Sequence, residues 1–170
     1  MGGISLCAGW RRGGDGITGP DCFVCDKHAR DSGVTGGIVY EDNLVYAGHL
    51  FPPDLTNVYL GYLMVEPKRH VLGLGDLSDE EAAALAVLVR DLARVLEEGE
   101  GAEHIYSFVL GDAVPHLHIH VVPRYPGTPR EHWGVRVGEW QGAPRGGATE
   151  IAEVCDRVRN GLTTIRPGSS

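Results

Sequence analysis

Apolar residues recur along the chain with two different periods, and these periods predict both strands and helices. The stretch "GGIVYEDNLVYAGHL" has two short apolar runs on either side of Asp42 and Asn43, which is typical of a β-hairpin. The run "VYLGYLMVEP" at 58–67 predicts a third strand. Two further runs, "HIYSFVL" at 104–110 and "HLHIHVV" at 116–122, predict a pair of strands joined by the short "GDAVP".

Apolar residues three and four positions apart predict two helices. The first begins at Ser78, which forms a capping-box pattern with Glu81, and continues to about Glu98. The second covers about residues 149–162. Its predicted buried face consists of Ile151, Val154, Cys155, Val158 and Leu162. Hairpin, strand, helix, two strands and helix in this order predict an α+β fold with a largely antiparallel sheet.

Length and charge limit the kinds of protein that this chain can be. Its 170 residues suit one domain with a sizeable core. The formal net charge of -8 argues against nucleic acid or an anionic membrane as the main partner, because both favour a basic surface. No apolar run is long enough for a spanning helix, and the start has no secretory signal pattern, so we expect a cytoplasmic protein. The glycine-rich residues 1–19 are expected to be a flexible segment.

Three histidines alternate with apolar residues in "PHLHIHVVPR" at 115–124. Alternate side chains of a strand share a face, so His116, His118 and His120 are predicted to point one way and the intervening apolar residues into the core. Neighbouring histidines would lie about 6.6–7 Å apart at Cα, too far for all three to bind one metal ion. Three interpretations remain open: a solvated strand face, a His-x-His metal site that activates water, and a neutral imidazole that attacks phosphorus.

Cys22 and Cys25 form a Cys-x-x-Cys pair, whereas Cys7 and Cys155 have no obvious partners. In a reducing compartment such a pair more often binds metal or carries out redox chemistry than forms a disulfide. The βαβ setting of a thioredoxin-like motif is missing, and so is a second half of a zinc site nearby. The residues favour zinc, with redox thiols and uncommitted thiols as alternatives.

The run "HLHIHVV" resembles the signature of the histidine-triad (HIT) superfamily of nucleotide hydrolases and transferases. The resemblance extends over about residues 20–126 and includes "CFVC", the strand end "VEPKRH" and the capped helix. It implies a HIT-like fold, with residues 127–170 as a C-terminal extension that packs on the HIT domain. It also implies that His118 attacks the α-phosphorus of a nucleotide conjugate or dinucleoside polyphosphate, forming a nucleotidyl-histidine intermediate. His120 would contact the phosphate.

The same resemblance supplies the missing zinc ligands. In zinc-bearing members of the superfamily, two cysteines are joined by the histidine of the "EPKRH" segment and by the first histidine of the triad. At the matching positions this chain has Cys22, Cys25, His70 and His116, which would form a closed structural Cys2His2 site. Many members are homodimers, so the resemblance also implies a homodimer.

The chain departs from the family pattern at the residues that usually bind the nucleotide. Related proteins have a Gly-Gln-Ser or Gly-Gln-Thr run shortly before the triad, where this chain has Asp112 and Ala113, and a carboxylate there would repel phosphate. His49 stands where an Asp or Asn commonly binds the ribose. We include Asp112 in the predicted nucleotide site together with Arg124, which can bind phosphate, and Trp133, which can stack on a base.

Two other functions stay open on the sequence. The chain could be a nucleotide-binding module that keeps the HIT fold and has lost turnover, or a zinc-dependent hydrolase in which His116 and His118 share one metal ion. The covalent mechanism makes a specific geometric prediction. His118 should border an open pocket and bind no metal, while His116 is held in the metal site.

Overall fold

The computed structural model of the chain describes residues 22–30, 35–50, 56–112 and 114–166. The segment 1–19, which the sequence predicts to be flexible, and Ala113 lie outside the described residues. The helices and strands of the described part, in chain order, are α1 (Phe23–Arg30), β1 (Ile38–Glu41), β2 (Val45–His49), β3 (Val58–Tyr59), β4 (Leu63–Pro67), α2 (Asp79–Glu100), β5 (His104–Phe108), β6 (Ile119–Arg124), β7 (Arg145–Gly146) and α3 (Ala148–Ile165).

Five of the strands form an antiparallel sheet in the order β1-β2-β4-β6-β5, and β3 pairs with β7 in a separate two-stranded sheet. The predicted hairpin is β1 and β2. Its turn is stabilised by the Asp42 carboxylate, which accepts hydrogen bonds from the main-chain N–H groups of Leu44 and Val45 at 2.7 and 2.9 Å. The prediction of an α+β fold with a largely antiparallel sheet is confirmed.

The prediction of one continuous strand over 58–67 is wrong, because the chain turns between β3 and β4. Gly61 has a φ of +77°, a conformation that favours glycine. A Cβ atom at Gly61 would also lie 2.9 Å from the Tyr125 hydroxyl. The turn frees β3 to pair with β7, so a strand from the C-terminal region completes this part of the fold.

Both predicted helices pack on one face of the five-stranded sheet and enclose the main core. α2 starts at the predicted capping box: the Ser78 hydroxyl accepts from the Glu81 N–H, and the Glu81 carboxylate accepts from the Ser78 N–H. All five residues of the face predicted for α3 are buried. Because α3 follows residue 127, the C-terminal region supplies part of the main core.

The opposite face of the sheet carries the even-numbered residues of β6 and is covered by two different segments. α1 lies over one end, and it is a helix that the hydrophobic pattern of the sequence did not predict. Residues after β6 cover the other end with two short 3-10 helices, Arg130–His132 and Gly134–Glu139, and a small cluster of aromatic and apolar side chains. Over the residues that the structure describes, none of the helices is long and apolar enough to cross a membrane.

Candidate functional site

The three histidines lie where β4 meets the start of β6. β6 begins only at Ile119, so His116 and His118 precede it, a difference from the strand predicted at 116–122. The predicted alternation is present, since Leu117 packs in the main core. His116, His118 and His120 are 1%, 8% and 9% exposed, which rules out a solvated strand face.

Cys22, Cys25, His70 and His116 form a cluster in which all four candidate ligand atoms lie within 4.8 Å of one another. We call it the Cys/His cluster. The Nδ1 atom of His116 is 3.5 Å from each cysteine Sγ, and Nδ1 of His70 is 3.3 Å from Sγ of Cys25. In a tetrahedral zinc site, sulfur and nitrogen ligands lie about 3.6 Å apart, as follows from bond lengths of about 2.3 and 2.05 Å. The four residues therefore fit a tetrahedral metal ion.

The hydrogen bonds of His116 also suit a ligand role. Its Nε2–H donates to the main-chain carbonyl oxygen of Pro67 at 2.9 Å, so the Nδ1 lone pair faces the two thiols. Burial lowers the pKa of His116 to about 4, which keeps the ring neutral. Burial, and then the neighbouring Cys22, raise the pKa of the Cys25 thiol to about 12. Thiolates at this site would therefore need a bound cation for their stabilisation.

His118 points away from the Cys/His cluster. Its Nδ1 atom lies 2.7 Å from the main-chain carbonyl oxygen of His116. A carbonyl oxygen only accepts, so Nδ1 carries a proton, and in the neutral imidazole Nε2 then keeps its lone pair. This arrangement gives no support to a metal ion shared by His116 and His118.

His118 borders a pocket between α1 and the sheet. Its lining residues are Phe23, Val24 and Lys27 from α1, Gly48, His49 and Leu50 at the end of β2, Met64 and Glu66 from β4, and Val114 and His118 before β6. His118 is thus largely buried and lines this pocket, and its role as the nucleophile stays a prediction. Most of the wall is apolar, with Lys27 and Glu66 as its charged members.

Glu66, Lys27 and His28 form a buried charged group that sequence reasoning missed, which we call the Glu66 network. The Lys27 ammonium donates to both carboxylate oxygens at 2.6 and 2.7 Å, and Nε2 of His28 lies 2.8 Å from one of them. Burial would raise the pKa of Glu66, but hydrogen bonds and charge from His28 and Lys27 outweigh it and hold that pKa below its usual value. The available signal was an acidic residue inside the apolar run "LMVEP".

His120 is fixed from two sides. The Tyr62 hydroxyl lies 2.8 Å from its Nδ1 atom, and the Phe108 ring stacks on it with centroids 4.9 Å apart. Burial, followed by the proximity of His118, lowers the pKa of His120 to about 4, so the ring is neutral at pH 7. Its Nε2 atom is buried and has no hydrogen-bond partner among the described residues. Tyr62 was not identified from the sequence.

His49, at the position where the resemblance predicts a ribose-binding residue, uses both ring nitrogens for hydrogen bonds to the main chain. Nδ1–H donates to the carbonyl oxygen of Leu50 at 2.9 Å, and Nε2 accepts from the N–H of Gly61 at 3.1 Å. Burial lowers its pKa, consistent with a neutral ring. His49 therefore fastens the end of β2 to the turn before β4.

The three residues predicted to bind the nucleotide are not among those that line the pocket. Asp112 is exposed between β5 and β6. Arg124 lies at the far end of β6, with its guanidinium 4.1 Å from the Trp133 ring and hydrogen-bonded to the Tyr106 hydroxyl. The structure brings Arg124 and Trp133 together, away from His118, and their role in nucleotide binding stays a prediction.

Comparison with known proteins identifies the family to which this fold and its three histidines belong. A family model described as the HIT domain matches residues 33–127, more than half of the chain. The nitrilase and fragile histidine triad fusion protein NitFhit of Caenorhabditis elegans is 33% identical over 109 residues, which are 56% of this chain and 25% of that protein. The AP-4-A phosphorylase of Mycobacterium tuberculosis is 36% identical over 100 residues, 54% of this chain and 48% of that protein. The chain thus spans less than half the length of these two curated relatives.

Solved structures resemble the fold over most of its length. A Zn-bound histidine triad family protein from Mycobacterium smegmatis superimposes with a TM-score of 0.62 at 23% identity, covering 85% of this chain and 94% of that one. The match of the HIT domain model, the arrangement of the three histidines and this shared architecture agree with one another. The chain belongs to the histidine-triad (HIT) family.

Proposed function

We propose that the protein is a nucleotide hydrolase or nucleotidyltransferase that acts at the α-phosphate of a nucleotide conjugate or dinucleoside polyphosphate through His118. The observation that carries this proposal is the hydrogen bond from Nδ1–H of His118 to the carbonyl oxygen of His116. It fixes the tautomer in which the Nε2 lone pair is free, in a residue that borders the pocket.

In the first step Nε2 of His118 forms a bond to the α-phosphorus, and the leaving group departs with the electron pair of its former bond to phosphorus. The imidazole becomes a phosphorylated cation, because Nδ1 keeps its proton. The carbonyl oxygen of His116, 2.7 Å away, stabilises this developing positive charge. In the second step water or another acceptor attacks phosphorus and gives up a proton to solvent, while the P–Nε2 bond breaks and its electron pair returns to Nε2. His118 then returns to its neutral state.

His120 would bind a phosphate oxygen during both steps. If the Tyr62 hydroxyl donates to Nδ1, the ring proton of the neutral imidazole lies on Nε2. Nε2 then becomes a donor without a partner among the described residues, which a phosphate oxygen would satisfy.

Curated relatives support the reaction class. Besides the AP-4-A phosphorylase, they include an adenosine 5'-monophosphoramidase, hnt1, from Schizosaccharomyces pombe, 28% identical over 92 residues, which are 54% of this chain and 65% of that protein. An asymmetrical bis(5'-nucleosyl)-tetraphosphatase from the same organism is 32% identical over 76 residues. These names describe reactions at nucleotide phosphates.

The Cys/His cluster would hold zinc in a structural role. Two thiols and two imidazoles are a ligand set that zinc prefers, and their spacing matches a closed tetrahedron. The similar histidine triad family protein from Mycobacterium smegmatis is Zn-bound, which supports this choice. A metal ion here would join α1, the loop after β4 and the segment before β6.

Intact-mass measurement tests the proposed reaction. The purified protein is mixed with a panel of nucleoside phosphoramidates, dinucleoside polyphosphates and nucleotide sugars, then quenched in base, which preserves phosphorylated histidine. We expect a nucleotidyl adduct in the wild type and in His104→Ala, which alters an exposed histidine, and none in His118→Ala. An adduct that persists in His118→Ala contradicts the proposal. Nucleotide binding by calorimetry without any adduct would favour the silent binding module.

Homodimer formation and a cytoplasmic location also belong to the proposal, as does a small-molecule nucleotide as the partner rather than nucleic acid. Light scattering of the purified protein measures the mass directly. A mass of one chain at micromolar concentration would contradict the dimer.

A further inference from the structure

We infer that the Lys27–Glu66 pair selects nucleotides whose base carries a carbonyl group at its edge, a 6-oxopurine or a 4-oxopyrimidine, over the corresponding amino-substituted bases. This inference rests on the proposed function, because it assumes that the pocket beside His118 holds a nucleotide. It assigns a specificity role to a buried ion pair that the chemistry at phosphorus does not use.

The strand register shows which part of a ligand the pair would meet. Tyr46 of β2 lies opposite Glu66 of β4, and Met64 of β4 lies opposite His120 of β6. One further step along the second register brings Glu66 beside His118, and both residues line the same pocket. Tyr46 and Glu66 are therefore partners on neighbouring strands, and Glu66 stands beside His118 in the segment that leads into β6.

The Lys27 ammonium contacts Tyr46 and Glu66, the two residues of this set other than His118. It is 4.8 Å from the centre of the Tyr46 ring and bonded to Glu66, on the next strand. Neighbouring strands are about 4.8 Å apart, so Tyr46 and His118 stand roughly 10 Å apart across the sheet. A phosphorus atom that His118 attacks must lie within about 3.5 Å of Nε2. Because Lys27 contacts the Tyr46 ring, we assign it to the end of the nucleotide away from phosphorus, which is its base.

The shape and polarity of the pocket match a planar ring. Phe23, Val24, Leu50, Met64 and Val114 supply apolar walls. A base can stack on Phe23 and pack against the aliphatic side chains, and these contacts tolerate any ring. The polar groups at the far end then decide which ring binds best, because an unpaired polar group in an apolar pocket is costly.

The Glu66 network presents a donor to the pocket rather than an acceptor. The Glu66 side chain is 3% exposed, and its oxygens already take hydrogen bonds from Lys27 and lie within reach of His28. The Lys27 side chain is 15% exposed and its ammonium has three N–H donors. A ring carbonyl oxygen can accept a charge-assisted hydrogen bond from it. An exocyclic amino group at the same position would place its own N–H donors against those of the Lys27 ammonium, so no hydrogen bond would form there.

Two pairs of substrates test the inference, since inosine and adenosine, like uridine and cytidine, differ mainly in the oxo or amino group at the edge. The phosphoramidates of their monophosphates are compared by kcat/KM, and the free monophosphates by calorimetry. We expect the wild type to favour the oxo member of at least one pair by about tenfold or more. Lys27→Met should bring that ratio close to one. Lys27→Arg, which keeps a cationic donor, should retain the preference.

Two further variants make the result decisive. Lys68→Met alters a lysine that pairs with Glu41 outside the pocket, and it should leave the ratio unchanged. Lys27→Met with Glu66→Gln removes the pair without leaving an unpaired carboxylate and should also abolish the preference. Metal content and melting temperature establish that each variant is folded. An oxo-to-amino ratio near one in the wild type, or an unchanged ratio in both Lys27→Met variants, overturns the inference.

The two proposals fail separately. If His118 is nucleotidylated by all substrates at equal rates, the proposed reaction stands and the selectivity is wrong. If no adduct forms but calorimetry shows the oxo preference and its loss in Lys27→Met, the selectivity stands and the reaction is wrong.

Discussion

Nδ1 of His118 donates a 2.7 Å hydrogen bond to the main-chain carbonyl oxygen of His116, whose own ring belongs to the Cys/His cluster. The orientation of the proposed nucleophile therefore depends on the peptide unit of a proposed metal ligand. A structural metal ion in the cluster would contribute to activity through position, without touching the substrate.

Loss of the metal is expected to lower both stability and activity. A ligand present at a thousand times its Kd stabilises a protein by about 4 kcal/mol, so Cys22→Ser should lower the Tm by about 8–16 °C. Adduct formation at His118 should decrease as well. Metal analysis with thermal unfolding measures the effect. Cys155→Ala, which removes a thiol from the main core, is the control and should keep one metal ion per chain. Equal metal content in Cys22→Ser and the wild type would contradict the assignment.

Tyr62 is expected to position His120, because its hydroxyl is the hydrogen-bond partner of Nδ1. In Tyr62→Phe the buried imidazole loses this partner, while Phe108 still stacks on the ring. We expect kcat to fall about tenfold, in line with the cost of losing a buried hydrogen bond, with little change in KM. Tyr106→Phe, which removes a hydroxyl bonded to Arg124 at 3.3 Å, is the matched control. Unchanged kcat in Tyr62→Phe would remove this positioning role.

Local sequence signals predicted those parts of the fold whose causes are local. The structure contains three features that are each encoded by residues close together in the sequence. They are the capping box of Ser78 and Glu81, the turn at Asp42 and the apolar face of α3. The Cys/His cluster needed the resemblance to a family. Its ligands are up to 94 positions apart along the chain, and no local pattern joins them.

The parts that sequence reasoning missed depend on contacts between distant segments. α1 has eight residues and few apolar groups, so its sequence gives a weak helix signal. Its Lys27 and His28 pack on the sheet because both side chains contact the buried Glu66 carboxylate. Arg124 and Trp133 offered a charge and a ring of the kind that binds nucleotides, and in the fold they contact each other and are not among the residues that line the pocket. Composition shows which groups are available, whereas only the register of the strands shows which of them meet.

Acidification is expected to destabilise the protein partly through His120. Burial, and secondarily His118, lower its pKa in the folded state to about 4, whereas the ordinary value in an unfolded chain is about 6.5. Between these two values the unfolded state binds more protons, so stability is complete above pH 6.5 and decreases as the pH falls toward 4. His49, whose pKa burial also lowers, acts in the same direction.

Denaturant unfolding at pH 7, 6 and 5 measures this contribution. His120→Gln has no titrating group at the site, so it should lose less stability than the wild type between pH 7 and pH 5. His104→Gln, on the exposed surface of β5, is the control substitution. Identical losses in His120→Gln and the wild type would show that His120 does not contribute to acid sensitivity.

Gly61→Ala is expected to disturb the site from the turn between β3 and β4. The positive φ of Gly61 costs an alanine about 1–2 kcal/mol, and the added Cβ would lie 2.9 Å from the Tyr125 hydroxyl. Together these effects should lower the Tm by about 4–8 °C. Because Gly61 donates its N–H to His49 and precedes Tyr62, the substitution should also reduce kcat.

Gly99→Ala is the matched control, since Gly99 lies in α2 with no atom within 4 Å of the added Cβ, and it should be neutral or slightly stabilising. If Gly61→Ala is as stable and active as Gly99→Ala, the turn does not hold Tyr62 against His120.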